Sequence, residues 1–145
     1  MRVLVQRVLS ARVEVEGEVR AEIGAGLLLF VGFGRSDTEL LPPVAARKIC
    51  AMRLFSDDRG KLNLSIGDTG GSLLVVSQFT LQANCGRGRR PDFTPAAPPE
   101  LAHKLYDDFV ELLKQHGIPV QTGIFGADMK VALVNDGPVS FILDF

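Results

Sequence analysis

The stretch Val75-Val76-Ser77-Gln78-Phe79-Thr80-Leu81 begins as an apolar β-run and changes abruptly to hydroxyl residues, an amide and an aromatic ring. A strand with this ending delivers polar groups and free backbone N–H donors to one rim of a rigid sheet. Binding and catalytic groups are commonly carried at such rims. The stretch therefore predicts a core strand that ends in a functional rim, formed by Ser77, Gln78, Phe79 and Thr80.

The residues before this stretch predict more strands. Branched residues in near alternation indicate a first strand that ends by Val15, and Glu16-Gly17-Glu18 is typical of a tight turn that returns through Val19 to Ile23. The continuous apolar run Leu27 to Val31 is bounded by glycines, as expected of a strand that is covered on both faces.

Two helices are predicted. The first begins near Leu41 rather than at Ser36, because Pro42-Pro43 would otherwise lie beyond the first turn of the helix. The second enters at Pro98-Pro99-Glu100 and stops at Gly117. Its apolar stripe is predicted to consist of Leu101, Leu105, Phe109 and Leu112.

The other segments are predicted as follows. Residues 55–63 are an irregular segment with a turn, and residues 67–71 are a second turn. Two strands, Lys130 to Val134 and Val139 to Phe145, are separated by a turn at Asn135-Asp136-Gly137-Pro138, and a further strand covers Ile118 to Thr122.

Length and composition indicate one compact α+β domain that spans residues 1–145, with 46% hydrophobic and 23% charged residues. No apolar run is long enough to cross a bilayer. Cys50 and Cys85 form no CxxC pair, which favours a reducing, cytoplasmic setting. The net charge of −1 gives no global attraction to nucleic acid, so any RNA contact needs a local basic patch.

No metal site is predicted, since His103 and His116 lack the spacing of metal ligands. His103 also lies off the apolar stripe, which favours a solvated helix histidine. The glycine pairs that include Gly26 and Gly32 are not followed by the residues of a phosphate loop, and they are interpreted as turn and packing residues.

Thr80 is the candidate nucleophile. A threonine hydroxyl needs a base or an N-terminal amine to activate it, and no such group lies nearby in the sequence. Thr80 as nucleophile, as positioning group or as an ordinary strand residue therefore all stay open. In each case the backbone N–H groups of Phe79 and Thr80, if unpaired, could stabilise an oxyanion.

Two further features each have a functional and a structural interpretation. Arg87, Arg89 and Arg90 are either a solvated surface loop or a phosphate clamp that follows an RNA backbone. The Gly137-Pro138 bond lies either in an ordinary trans-proline turn or in a cis turn that aims two consecutive carbonyls in one direction.

Together these stretches resemble one family, the D-aminoacyl-tRNA deacylases, also called D-tyrosyl-tRNA deacylases. The resemblance covers the whole chain. It rests on Met1 to Val8, Gly70-Gly71, Ser77-Gln78-Phe79-Thr80-Leu81, Gly88-Arg89-Arg90-Pro91, Ala96-Ala97-Pro98-Pro99, Phe125-Gly126-Ala127-Asp128-Met129 and Asn135-Asp136-Gly137-Pro138-Val139.

The resemblance implies a homodimer without metal or cofactor that hydrolyses the ester of D-aminoacyl-tRNA, and also of glycine mischarged on tRNA. It implies a mixed or antiparallel sheet, barrel-like in the dimer, with two main helices. It further implies that Gly137-Pro138 is cis and reaches into the partner's pocket, where an L side chain would collide. Arg7 would brace this element, and Phe125 and Met129 would line the adenosine or ester end of the site.

Two rival functions stay open. One is a non-catalytic RNA-binding module that uses the three arginines, which predicts salt-dependent tRNA binding without ester hydrolysis. The other is a hydrolase of small amides or esters with Thr80 as its nucleophile, which predicts a trappable acyl-enzyme.

Overall fold

Strand β1 (Arg2–Val15) is the centre of the sheet, because three other strands pair with it. In the computed structural model, which describes residues 1–86 and 88–145, the C-terminal half of β1 pairs with β2 (Glu18–Ile23). Its N-terminal half pairs with β3 (Gly26–Gly32). Both pairings are antiparallel, and the predicted β1–β2 hairpin is confirmed.

The remaining strands make the sheet mixed and strongly curved. Strand β8 (Lys130–Asp144) runs antiparallel to β1 along its other edge. Strands β6 (Ser72–Ser77) and β7 (Val120–Thr122) extend the sheet from β3, and both of these pairings are parallel. Because β2 approaches β6 and β7, the sheet is nearly closed into a barrel, which confirms the predicted α+β class.

The two main helices pack against each other. Helix α1 (Leu41–Ala51) begins where the prolines predict, and α3 (Pro99–Gln115) ends before Gly117, whose φ of 74° suits glycine. The predicted stripe of α3 is correct at its centre but not at its ends, where Leu101 and Leu112 are only half-buried. The buried residues of α3 are Ala102, Leu105, Tyr106, Phe109, Val110 and Leu113. Within the described residues, no helix is long and apolar enough to cross a membrane.

Apolar residues cover both faces of the central strands. Leu27 and Leu29 of β3 pack in the cluster that joins the sheet to α1 and α3. Leu28, which alternates with them, packs in a second cluster on the other face together with Leu74 and Val76 of β6. The continuous apolar run in β3 is thereby explained, since neither face of the strand meets water.

Two predicted irregular segments contain short regular elements. Phe55–Ser56 (β4) and Leu62–Leu64 (β5) form a two-stranded hairpin around the predicted turn. Ile66–Thr69 is a one-turn helix, α2, which Ser65 and Asp68 stabilise with a reciprocal capping box. The prediction of a plain turn at residues 67–71 was wrong, because these local side-chain bonds order the segment.

The prediction of two C-terminal strands separated by a turn was also wrong. Residues 130–144 form one strand, β8, whose pairing with β1 is interrupted near Asn135. Val8 pairs with Asn135 and Gln6 with Ser140, so the four residues 136–139 lie opposite the single residue Arg7. The segment is therefore a bulge in an otherwise continuous strand.

Candidate active site

Three strands direct their C-terminal ends to the same edge of the sheet. β3, β6 and β7 are parallel neighbours, so the segments that follow them in the sequence meet beyond that edge. With the start of α3 they enclose a cavity of about 770 Å³. The lining includes Arg35 after β3, Ser77 and Phe79 at the end of β6, and Phe125 and Met129 after β7.

The predicted rim residues form a tight turn against β3. Phe79–Gln82 is a short 3₁₀ helix, and the Gln82 side-chain amide donates to the carbonyl of Gly32 at 2.8 Å. Gly32 permits this close approach, because a Cβ there would lie 2.6 Å from the carbonyl oxygen of Gln78. Arg2 donates to the carbonyl of Leu81 at 3.2 Å and fixes the other side of the turn.

Two backbone N–H groups of this turn have no hydrogen-bond acceptor within the described part of the chain. The N–H of Gln78 donates to Val31 at 2.8 Å, and the N–H of Leu81 donates to Gln78 at 3.2 Å. Between them, the N–H groups of Phe79 and Thr80 donate to no acceptor among the residues that the structure describes. Unpaired donors of this kind at the start of a helical turn can bind developing negative charge.

Thr80 lacks the surroundings of an activated nucleophile. Its hydroxyl oxygen accepts a hydrogen bond from the side-chain amide of Gln78, and the side chain is exposed. Within the described part of the chain, no carboxylate, imidazole or amine bonds to this hydroxyl. Thr80 is also absent from the cavity lining, whereas Ser77, Gln78 and Phe79 belong to it.

Aromatic packing holds the opposite wall. The ring of Phe125 stacks on His103, with centroids 4.3 Å apart and planes at 8°, and it also contacts Tyr106. The Tyr106 hydroxyl donates to the carbonyl of Val75 at 2.9 Å, and burial raises the pKa of Tyr106. The same carbonyl accepts the N–H of Gly123 at 3.0 Å, so this wall is tied to the end of β6. His103 is exposed as predicted, but it is not simply solvated.

The Gly137–Pro138 peptide bond is cis, and both residues are exposed on the bulge of β8. Arg7 holds the bulge, with its Nε 2.8 Å from a carboxylate oxygen of Asp136 and 3.2 Å from the Asp136 carbonyl. The side-chain amide of Asn135 donates to the carbonyl of Arg7 at 2.9 Å. Neither Gly137 nor Pro138 lines the cavity of its own chain. The predicted site residues are thus divided between two places.

Among the described residues, the charged groups that line the cavity are one cation, Arg35, and one carboxylate, Asp128. Arg89 and Arg90 are exposed but lie outside the lining, and Arg87 falls outside the described residues. Among the residues that are described, no three His, Cys, Asp or Glu side chains are grouped to hold a metal ion. Arg35 was missed from the sequence, although its place just after a buried strand was a usable signal.

The chain is similar to one family of known proteins. The model of one family, described as D-Tyr-tRNA(Tyr) deacylase, matches residues 4–144. A relative from Pelobacter propionicus named D-aminoacyl-tRNA deacylase is 55% identical over 144 residues, which are 99% of each chain. A relative of the same name from Geobacter sulfurreducens is 54% identical, with 99% of this chain and 95% of that chain covered.

Two solved structures are also similar. One, described as c-Myc DNA Unwinding Element Binding Protein, is 40% identical with a TM-score of 0.94, and 100% of this chain and 99% of that chain are covered. The other, a probable eukaryotic D-amino acid tRNA deacylase, is 17% identical with a TM-score of 0.85 over 99% and 98% of the two chains, and it shows the fold alone. On the family match and the two bacterial relatives, the chain belongs to the D-Tyr-tRNA(Tyr) deacylase family.

Proposed function

We propose that this protein hydrolyses the ester of D-aminoacyl-tRNA and releases the free D-amino acid and tRNA. The observation that carries the proposal is the pair of free N–H groups of Phe79 and Thr80, next to a cavity built at three strand ends. The family match and the names of the bacterial relatives support the same substrate class.

The reaction needs little more than positioning and charge stabilisation, because an aminoacyl ester is already labile. Water adds to the ester carbonyl carbon, and the carbonyl oxygen becomes an oxyanion that the N–H groups of Phe79 and Thr80 would stabilise. The added water gives up one proton, the oxyanion collapses to the carboxyl group as the carbon–oxygen bond to the ribose breaks, and the leaving ribose oxygen takes up that proton. The neighbouring ribose 2′-hydroxyl of the substrate lies next to the reacting ester and can assist this transfer. No covalent step at Thr80 is required.

The apolar part of the cavity suits the terminal adenosine of tRNA. Phe125 offers an aromatic ring that His103 and Tyr106 already hold in place, and Met129 lies beside it in the lining. Bases stack readily on such rings. We therefore place the adenosine or ester end of the substrate against Phe125 and Met129.

A second copy of the chain would complete the site. β8 pairs only with β1 among the described strands, so its other edge is unpaired, and the strand exposes the apolar side chains of Val134 and Ile142. A long strand with an unpaired edge and exposed apolar side chains favours association with another chain. In the homodimer that we propose, the exposed Gly137-Pro138 bulge would enter the partner's cavity, which it cannot do for its own.

This arrangement would account for chiral selectivity. Carbonyls of Gly137 and Pro138 would accept hydrogen bonds from the substrate's α-amino group and leave no room for an L side chain. Glycine has no side chain to reject, so we propose that glycine mischarged on tRNA is also hydrolysed. Arg87, Arg89 and Arg90 would contact tRNA phosphates, and the protein would act in the cytoplasm with the translation machinery.

A larger residue at position 137 would test the proposed role of the bulge in chiral selectivity. A Cβ at Gly137 would lie 2.7 Å from Oδ1 of Asn135, the residue whose amide bonds to Arg7. We expect Gly137→Ala to displace the bulge and to lower the D-to-L ratio of kcat/KM. An unchanged ratio would contradict the role of the bulge in selectivity.

The oxyanion role is tested by two changes at one exposed position. Thr80→Ala removes the hydroxyl and keeps the N–H, whereas Thr80→Pro removes both. We expect Thr80→Ala to keep measurable activity and Thr80→Pro to lower kcat by about 10²-fold or more. Thermal unfolding of both variants checks that the fold is intact. Equal losses in the two variants would refute a role for this N–H.

A further inference from the structure

We propose that Arg35 binds the phosphodiester group on the 5′ side of the terminal adenosine of the tRNA. The inference rests on the proposed function, because it names the part of that substrate which Arg35 contacts. Arg35 lies in the cavity lining, whereas Arg89 and Arg90 of the basic loop do not.

Hydrogen bonds fix the backbone around Arg35, an exposed residue of the cavity lining. Its N–H donates to the carbonyl of Pro95 at 2.9 Å, and the preceding Gly34 forms a bridge with Ala96. The N–H of Gly34 also donates to a carboxylate oxygen of Asp37 at 2.7 Å. The guanidinium therefore extends from an anchored segment rather than from a long free loop, which reduces the entropy lost on binding.

The guanidinium of Arg35 is available for an anion. Within the described residues no carboxylate lies within 4.0 Å of it, whereas Arg2 and Arg7 each pair with an aspartate. The nearest acid in the sequence, Asp37, is taken by the ammonium group of Met1 at 2.7 Å as well as by Gly34. A planar guanidinium with free donors suits phosphate oxygens.

The position of Arg35 determines which phosphate it would meet. If the terminal adenosine lies against Phe125 and its ester next to the N–H of Phe79, the 5′ side of its ribose must lead out of the cavity, because the rest of the tRNA lies outside. The phosphodiester next to the terminal adenosine must then pass the lining residues of the cavity. Among those that the structure describes, Arg35 is the only cation. We therefore expect Arg35 to contact this one phosphate and no other part of the tRNA.

Two minimal substrates isolate this contact. D-tyrosyl-adenosine has no phosphate, and D-tyrosyl-CpA adds one phosphodiester on the 5′ side of the adenosine. We expect Arg35→Gln to raise KM for D-tyrosyl-CpA about ten-fold, with kcat little changed and with KM for D-tyrosyl-adenosine within two-fold of wild type. KM for D-tyrosyl-CpA should also depend less on salt in Arg35→Gln than in the wild type, because the screened ion pair is gone.

The controls separate this inference from the proposed function. Arg47→Gln removes an exposed cation of α1 and should leave KM for both substrates unchanged. Arg35→Lys should bind D-tyrosyl-CpA more tightly than Arg35→Gln does, but less tightly than the wild type. Calorimetric binding of unacylated CpA and adenosine gives the same comparison without turnover. If the wild type hydrolyses neither D-tyrosyl-adenosine nor D-tyrosyl-CpA, the proposed function is refuted, and the binding comparison still tests the role of Arg35. A loss for Arg35→Gln that is equal with and without the phosphate, or absent from both, refutes the role of Arg35.

Discussion

The substitution Gly32→Ala tests how the fold positions the free N–H groups. Gly32 ends β3 beneath the 3₁₀ turn that carries Phe79 and Thr80. An added Cβ would lie 2.6 Å from the Gln78 carbonyl oxygen and 3.1 Å from Cβ of Leu81. Both atoms belong to the turn segment, and one is backbone, so no flexible side chain can absorb the clash.

The size of the effect follows from these distances. To reach an ordinary contact of 3.4 Å, the turn must move by roughly 0.8 Å, since a packed interior does not yield freely. A displacement of about 1 Å in a catalytic group costs about 10²-fold in rate. We therefore expect kcat to fall by about 30- to 100-fold. The overpacking should lower the free energy of unfolding by about 1–3 kcal/mol.

The assay is deacylation of D-tyrosyl-tRNA under saturating and limiting substrate, together with urea unfolding. The loss should appear in kcat more than in KM, because an oxyanion contact is made only in the transition state. Gly34→Ala is the matched control, since its Cβ would meet Gln82 Oε1 at an acceptable 3.4 Å. A kcat for Gly32→Ala within three-fold of wild type, or equal losses in the two variants, would refute the reasoning.

Three other predictions concern stability, thiol chemistry and assembly. Tyr106→Phe removes the buried hydrogen bond to Val75 and should lower the free energy of unfolding by about 1 kcal/mol in urea titrations; no change would mean that the bond contributes nothing. Burial raises the pKa of Cys50 to about 11, so iodoacetamide at pH 8 should modify the exposed Cys85 first, as read by mass spectrometry; equal labelling of both would contradict this. Ile142→Asp, at a residue 64% exposed on β8, should give a monomer with little activity in sedimentation and deacylation assays; a fully active monomer would exclude the proposed interface.

The sequence predicted the elements whose residues signal burial or a stop directly. The continuous apolar run of β3, the prolines at the start of α1 and Gly117 after α3 each act through one local rule. Strand β6 was likewise predicted, and it ends at Ser77, where the sequence changes from apolar to polar residues. These features depend on side-chain polarity and on backbone conformation, and both can be read from the sequence.

Other features depend on contacts that are distant in the sequence. The bulge around Gly137 resembles a turn in composition, and only pairing with β1 and the bonds of Arg7 and Asn135 keep it inside one strand. Arg35 lines the cavity because β3 and β6 pair in parallel. Its place after a buried strand was a signal, but the sequence did not specify that topology. The stacking of His103 on Phe125 joins α3 to the segment after β7 and has no periodic signature.

The most direct test of the account compares purified wild-type protein on D-tyrosyl-tRNA and L-tyrosyl-tRNA, charged on the same tRNA, with spontaneous hydrolysis measured in parallel. The account predicts that the D ester is released rapidly while the L ester decays only at its spontaneous rate. Equal hydrolysis of both esters, or of neither, would contradict it.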